Sequence, residues 1–594
     1  MGSGCKPDGF AYGGSNPSWP TTSTHFDELT PSRGDSRWQY YEAMTLTKRA
    51  PVRSRLRLGQ WIHRRYVDAA TGIESLIQFL ERRYTPLGRF TPGEFENWDF
   101  LWRPMVWGFI AITAIVAGCS FSNSPFKLEV AHTWFFGVPT SLQNSGTNNE
   151  TTLLYSITLV FGGLVMLMRV WLRLSEVLQN HVGAPLKKLY LLLGVWCVPL
   201  IVAPPLFSRD VFSYAAQGEM TSYHISPYTY GPFTLGQGSN PFTLPVDPLW
   251  GNTPAPYGPL FLAIDGFLVR LTHHHELASV LLLRLLEVVA VAIMAIALPL
   301  LARGMKRGAG EILILGAANP VVLLTLLGGA HNDGLMAALL ALGIALATVK
   351  RPMWGFFFVA CATAIKAPAA LGLLYIAWSW QGSGVALTRR LTTTVKGGLI
   401  SLGVLGAATL AAGFGLGWVK NLSTPGTVRS WAAPATGLGL GLAKLFNACG
   451  WDVSVTPVLT VTRLLGFLLA IGLSGWLFAT SDRRGWVRSL AVSLILFVVL
   501  GPVVQPWYLS WGLVLLGASY VQREHFWLLT LSIVAPFIGL PGGRQLLNGL
   551  IHANVFEMVS VLAILAGMFL VPLGRWTQWS WPGVNDVRGP ALEV

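Results

Sequence analysis

Apolar runs recur through this 594-residue chain from about residue 104 to residue 572, separated by short polar loops. Crossing a hydrocarbon core as a helix takes roughly 20 apolar residues. Such a core tolerates only backbone that bonds to itself. Membrane helices are expected near 104–121, 152–172, 188–206, 277–301, 310–328, 334–349, 397–418, 454–479, 489–504, 509–521, 526–545 and 553–572. Two shorter segments share 353–379 and are read as a helical hairpin, giving about 13–14 crossings. Only 12% of the residues are charged and 52% are hydrophobic, whereas a soluble domain carries about 25% charged residues. The expected fold is therefore an all-α polytopic membrane protein.

Charge asymmetry assigns the sides. Loops after even-numbered helices carry Arg169, Arg173, Lys187 and Lys188, then Arg303, Lys306 and Arg307, then Lys350 and Arg351, then Arg389, Arg390 and Lys396, then Arg483, Arg484 and Arg488. The opposite loops carry few, with Lys127 in the first and Arg209 in the second. The positive-inside rule predicts a multi-pass plasma-membrane protein with both termini cytoplasmic and with 122–151, 207–258 and 419–436 outside. Segments 257–272 and 437–447 are too short to span comfortably and are read as interfacial or re-entrant.

The formal charge of +14 is concentrated at Lys48, Arg49, Arg53, Arg55, Arg57, Arg64 and Arg65. A cluster ahead of a first membrane helix faces anionic lipid, and no recognition module accompanies it, so nucleic acid is not an expected partner. Residues 1–43 are rich in Gly, Ser, Pro and Thr and are expected to be disordered, with Met44 an alternative start. Residues 73–100 suggest a short amphipathic helix on the inner surface. The expected organisation is a basic cytoplasmic region 1–100, a transmembrane domain 101–575 and a cytoplasmic tail 576–594. No apolar signal-peptide core occurs in the first hundred residues, so the first membrane helix is expected to act as the targeting signal.

Several chemistries lack their residues. The five cysteines are scattered, with neither metal spacing nor a disulfide framework. No Walker loop, no GxGxxG opening a βαβ unit and no HExxH occurs. The outer loops hold no Asp-x-Asp pair for a metal-bridged diphosphate. No metal and no cofactor is expected, and any transferred group must arrive already attached to a lipid.

Four motifs carry polar chemistry in apolar surroundings. "SRDVFSYAAQGEM" places Asp210, Ser213, Tyr214 and Gln217 on one face of an expected helix. Asp210 either caps that helix or stands at the outer surface as a general base. "GGAHNDGLM" sets His331, Asn332 and Asp333 in an outer turn, as a helix cap and turn or as a site. "ATAIKAPAALG" puts Lys366 in an apolar stretch before Pro368, where it either snorkels or neutralises a buried anion. "VVQPWYLSW" ends a helix on the outer side with Gln505, Trp507 and Tyr508, either a belt at the membrane surface or a platform for a sugar ring. Lys420 and Arg429 are uncommon outer-side cations that could meet a phosphate.

In that order, "SRDVFSYAAQGEM", "GGAHNDGLM" and "VVQPWYLSW" resemble the actinobacterial polyprenol-phosphate-mannose-dependent α-1,6-mannosyltransferases, polytopic glycosyltransferases of the GT-C class that build the mannan backbone of lipomannan and lipoarabinomannan. The likeness runs from about residue 100 to 575. It implies a GT-C-type bundle, a β-mannosyl phosphopolyprenol donor, a mannoside acceptor and inversion in one displacement. It further implies that Asp210 deprotonates the acceptor and that His331 and Asp333 line the cavity. Lys366, with Arg209 or Arg429, would stabilise the leaving phosphate, and Trp507 and Tyr508 would border the mannose. Many GT-C enzymes carry the key acid in the first outer loop. That loop lacks Asp here, which makes Glu129 a rival and leaves His132 and Trp134 without a role.

Two alternatives use the same residues. A lipid-linked sugar transporter or flippase would share the cavity, but repeated halves are expected of one and none is evident here. A phosphopolyprenol-arabinose-dependent transferase needs the same base and the same phosphate pocket.

Overall fold

Proline sets where many of the helices begin. Pro248, Pro259, Pro352, Pro434 and Pro506 each occupy a first helical position, where the missing N–H is not needed and φ is already helical. The computed structural model describes residues 99–121, 124, 126, 133–135, 138–140, 150–180, 184–382, 384–540 and 554–570. The expected N-terminal disorder, the basic arm, nearly all of the 73–100 helix, Glu129, His132 and the 576–594 tail lie outside these residues.

The described helices are α1 (Trp102–Ser120), α2 (Glu150–Asn180), α3 (Leu186–Ile201), α4 (Asp210–Ser222), α5 (Pro248–Gly251), α6 (Pro259–Leu271), α7 (Glu276–Met305), α8 (Ala309–Gly316), α9 (Asp333–Thr348), α10 (Pro352–Ile365), α11 (Ala370–Trp378), α12 (Leu387–Ala412), α13 (Pro434–Ala448), α14 (Val455–Ala479), α15 (Ser481–Arg484), α16 (Trp486–Val499), α17 (Pro506–Ser519), α18 (Gln522–Ile538) and α19 (Val555–Leu570). The chain is an all-α polytopic membrane protein. One exception to helix is a two-stranded antiparallel ribbon, β1 (Thr133–Phe135) and β2 (Val138–Thr140), with Trp134 opposite Pro139.

Long and short helices are combined in this bundle. Among the described residues, five spans are long and apolar enough to cross a membrane, within α1, α2, α7, α12 and α14. At 1.5 Å per residue, α7 with 30 residues runs about 45 Å and α14 with 25 residues about 37 Å. By contrast α9, α10, α16 and α17 have only 14 to 16 residues, about 21–24 Å. The short helices are central. In α17 every residue but Tyr508 is buried, and in α9 all but four are. The long α12 buries three of its 26 residues.

The 353–379 hairpin forms as expected. α11 returns alongside α10, because Gly372 packs on Val359, Gly355 lies by Ile376, and the Trp380 indole donates to the Ala347 carbonyl at 2.5 Å. The expected continuous helix at 310–328 does not form. It breaks after α8 at Asn319–Pro320 and resumes as a π-helical turn over Val322–Leu327. Pro320 removes the N–H that would continue the ladder. The Asn319 side chain replaces it, accepting from the Val321 N–H at 2.9 Å and donating to the Leu315 carbonyl and to Ser532 Oγ at 3.0 and 2.8 Å. Segments 257–272 and 437–447 fold as α6 and α13, and α13 packs along α14 through Gly439 against Leu459 and Thr462.

Gly258 joins two of these elements. Its N–H donates to the Ile365 carbonyl at 2.8 Å, and a Cβ there would collide with the Ala364 backbone. Gly258→Val is expected to cost about 1–3 kcal/mol through overpacking, read as a lower thermal midpoint of the purified protein.

Candidate active site

The short helices end around one pocket, and two residues in left-handed backbone turn the chain there. Phe207 has φ 64° and Ala330 has φ 52°, a conformation non-glycine residues rarely hold unless their surroundings impose it. Between them the Leu206 N–H donates to the Gly328 carbonyl at 2.9 Å. Buried Arg284 of α7 ties both breaks together. It donates to the carbonyls of Leu200 at 3.2 Å, Ala203 and Gly328 at 3.3 Å.

Asp210 is the first residue of α4, and its side chain does not cap that helix. The backbone N–H of Asp210 is met instead by Ser208 Oγ at 3.2 Å. The carboxylate is therefore turned outward from its own helix. Oδ1 accepts from Trp250 Nε1 at 3.0 Å, and Oδ2 lies 3.5 Å from His331 Nδ1. Its side chain is 14% exposed. Burial raises its pKa to about 6, opposed first by the Lys366 charge and then by the Ser208 hydrogen bond. Burial, with Lys366 nearby, holds His331 well below the ordinary imidazole value, so His331 faces Asp210 as a neutral ring. His331 stacks on Trp507, centroids 3.8 Å apart and planes within 17°, and its Nδ1 is 3.4 Å from Tyr214 Oη.

A second carboxylate lies deeper. Asp333, at the start of α9, is fully buried, also without capping its helix. It accepts from Lys366 Nζ at 2.9 and 2.8 Å and from Trp511 Nε1 at 2.6 Å. Lys366 sits at the hairpin tip in extended backbone (φ −151°, ψ 128°). Its ammonium lies 4.5 Å from the Tyr508 ring centroid, 5.5 Å from Tyr257 and 5.6 Å from Trp511, an arrangement favoured by the ring quadrupoles.

The pocket holds about 340 Å³. One wall is α4, with Asp210, Ser213 and Gln217; the facing wall is Gln505, Trp507 and Tyr508. The lining is completed by residues between Asp247 and Tyr257, among them Trp250, by Thr424 and Val428, and by Ile538 and Gly539. Ser213 Oγ and Gln217 Oε1 are buried without a protein hydrogen-bond partner.

Of the residues singled out in the sequence, Asp210, Arg209, Gln505, Trp507 and Tyr508 line this pocket. Tyr214 and His331 are buried and reach toward Asp210, whereas Asp333 and Lys366 form a layer beneath. Asn332 is buried off the pocket wall, with neither amide atom bonded. Arg209 lines the pocket but spends two donors on the loop carbonyls of Pro245 and Val246 at 2.8 and 3.1 Å. Arg429 is exposed and outside the lining, although its neighbour Val428 belongs to it. Sequence reading missed Trp250, Tyr257 and Trp511. Trp250 and Tyr257 come from the second outer loop, and Trp511 ends the VVQPWYLSW motif one turn past Trp507, but nothing in their local pattern points to a carboxylate. No group of three His, Cys, Asp or Glu side chains able to hold a metal ion occurs among the described residues.

Residues 105–382 match the family model described as alpha-(1->6)-mannopyranosyltransferase, N-terminal domain, and residues 435–571 match the MptB C-terminal domain. A probable alpha-(1->6)-mannopyranosyltransferase of Mycolicibacterium smegmatis is 34% identical over 452 residues, covering 69% of this chain and 80% of that protein. The chain belongs to the alpha-(1->6)-mannopyranosyltransferase family. Another member, from Mycobacterium tuberculosis, is 31% identical over 69% of this chain and 79% of its own length. Alpha-(1->6)-mannopyranosyltransferase A of the same organism is 28% identical over 88% and 99%. No solved structure matches. The mannosyltransferase is thus a glycosyltransferase, and family membership sets aside the transporter and pentose-transfer alternatives.

Removing one partner of a buried ion pair strands the other charge, at about 3–5 kcal/mol. Lys366→Met in this mannosyltransferase is therefore expected to lower folded yield and thermal midpoint strongly. Adding Asp333→Leu is expected to restore part of the midpoint, measured by fluorescence-detected unfolding in detergent.

Proposed function

We propose that the enzyme transfers mannose from a β-mannosyl phosphopolyprenol to a hydroxyl of a mannoside acceptor at the outer face of the membrane, with inversion, forming α-1,6 linkages in lipomannan and lipoarabinomannan synthesis. The observation that carries the reading is Asp210, a carboxylate that caps no helix and is partly exposed on the wall of a pocket facing Trp507 and Tyr508. Asp210 takes the proton of the acceptor hydroxyl as the oxygen attacks C1 of the mannose. The C1–O bond to phosphate breaks with its electron pair, and the phosphopolyprenol leaves as the phosphomonoester. A base poised near working pH suits this step.

The leaving phosphate needs positive potential rather than a proton. Two helices, α4 and α17, start at the pocket, and helix N-termini favour anions. Arg209 is the cation of the pocket lining. Lys366 contributes from behind the Tyr257 and Tyr508 rings, where its charge is largely balanced by Asp333. Trp507 and Tyr508 offer aromatic faces to the sugar.

Purified enzyme is assayed with synthetic mannosyl phosphopolyprenol and an α-1,6-dimannoside. Asp210→Asn is expected to lose about a thousandfold in kcat, within the usual worth of a general base, while keeping its melting temperature. Full activity in that variant would remove the base assignment. Because Asp210 acts only as the anion and its pKa is raised, activity is expected to fall as pH drops through about 6, and NMR of the product is expected to show an α linkage.

A further inference from the structure

The end of the long loop between α3 and α6 returns to two adjacent residues of the site. Arg209 holds the loop by the Pro245 and Val246 carbonyls. The next residue, Asp247, caps the single turn of α5, accepting from the Leu249 N–H at 2.9 Å, while the Trp250 N–H donates to its carbonyl at 2.8 Å. Gly251 is buried against the Phe233 ring, where a Cβ would not fit. The turn is therefore fixed on three sides, and its indole N–H points to Asp210 Oδ1 at 3.0 Å.

An indole nitrogen only donates. Bonded to one carboxylate oxygen, it is satisfied best when that carboxylate is an anion, and it leaves the second oxygen as the better proton acceptor. We infer that Trp250 is a positioning residue for the general base: its N–H fixes the rotation of the Asp210 carboxylate, favours the anion, and leaves Oδ2 to take the acceptor proton. The assignment rests on Asp210 acting as the base. The ionisable groups facing Asp210 are Tyr214 on its own helix, Tyr257 before α6, His331 and Asp333 at the start of α9, Lys366 after α10 and Tyr508 on α17, with Arg209 adjacent. All of them stay in place when only the indole N–H is removed.

Two variants remove that N–H: Trp250→Phe, and replacement of Trp250 by benzothienylalanine, which keeps the bicyclic shape and puts sulfur where nitrogen was. Transfer from mannosyl phosphopolyprenol to the dimannoside is followed between pH 5 and 9. The acid limb of kcat is expected to move up by about one pH unit, as loss of one charge-assisted hydrogen bond implies. The plateau is expected to fall about tenfold with KM within about threefold, because orientation of the base acts in the transition state. A readout independent of turnover is the infrared carboxyl band lost in Asp210→Asn, which should titrate about one unit higher in both variants. If the benzothienyl protein keeps the wild-type limb, plateau and band, Trp250 packs and does not position. If Asp210→Asn is itself fully active, the base reading fails instead, and the two failures are distinct.

Discussion

Everything around the pocket depends on the ion pair between Asp333 and Lys366. A charge in the interior of a membrane protein is tolerated only when another charge or a set of dipoles meets it. Here each partner occupies the end of a short helix, one opening α9 and the other closing α10, and the two oxygens of Asp333 are shared between the ammonium and the Trp511 indole. The pair therefore dictates that these helix ends stay adjacent. The Tyr508, Tyr257 and Trp511 rings around Lys366 are set by the same cation. Two of those rings face the pocket, so a structural charge shapes the surface a substrate would meet.

The two carboxylates differ by surroundings. Asp333 is matched by a cation at hydrogen-bond distance and has no exposure. Asp210 has an indole, a neutral imidazole at 3.5 Å and a partial view of the pocket. The two acids of one site are thus set apart by their surroundings, one held by a cation and the other open to the pocket. The strained turns at Phe207 and Ala330, held by Arg284, place the carboxylates within one site although the sequence separates them by more than a hundred residues.

Much of the fold was legible in the sequence because the signal is local. Run length and loop composition announce helices, and the two short apolar segments broken by Pro368 announce the hairpin around Lys366. The break at Asn319–Pro320 was overlooked because the flanking residues are uniformly apolar, so hydropathy stays high through a proline that hydrogen bonding cannot ignore. At the site, Asp210, His331, Asp333 and Lys366 stood out as polar groups in apolar company. Whether Asp210 and Asp333 cap their helices could not be read from type and position, since a cap and a site residue occupy the same place; the bonds each carboxylate makes decide it. Trp250 and Trp511 were invisible for a different reason. Tryptophan is common in such a chain, which has 24, and only the folded backbone brings those two indoles to carboxylates.

The contrast between the buried short helices and the lipid-facing α12 has a consequence for what can disturb the site. α9 and α17, about 21–24 Å long, are buried almost throughout, whereas α12 buries three of its 26 residues. Asp333, Tyr508 and Trp511 therefore ride on helices packed by protein on nearly every side, so a change in the lipid around the molecule reaches them only through other helices.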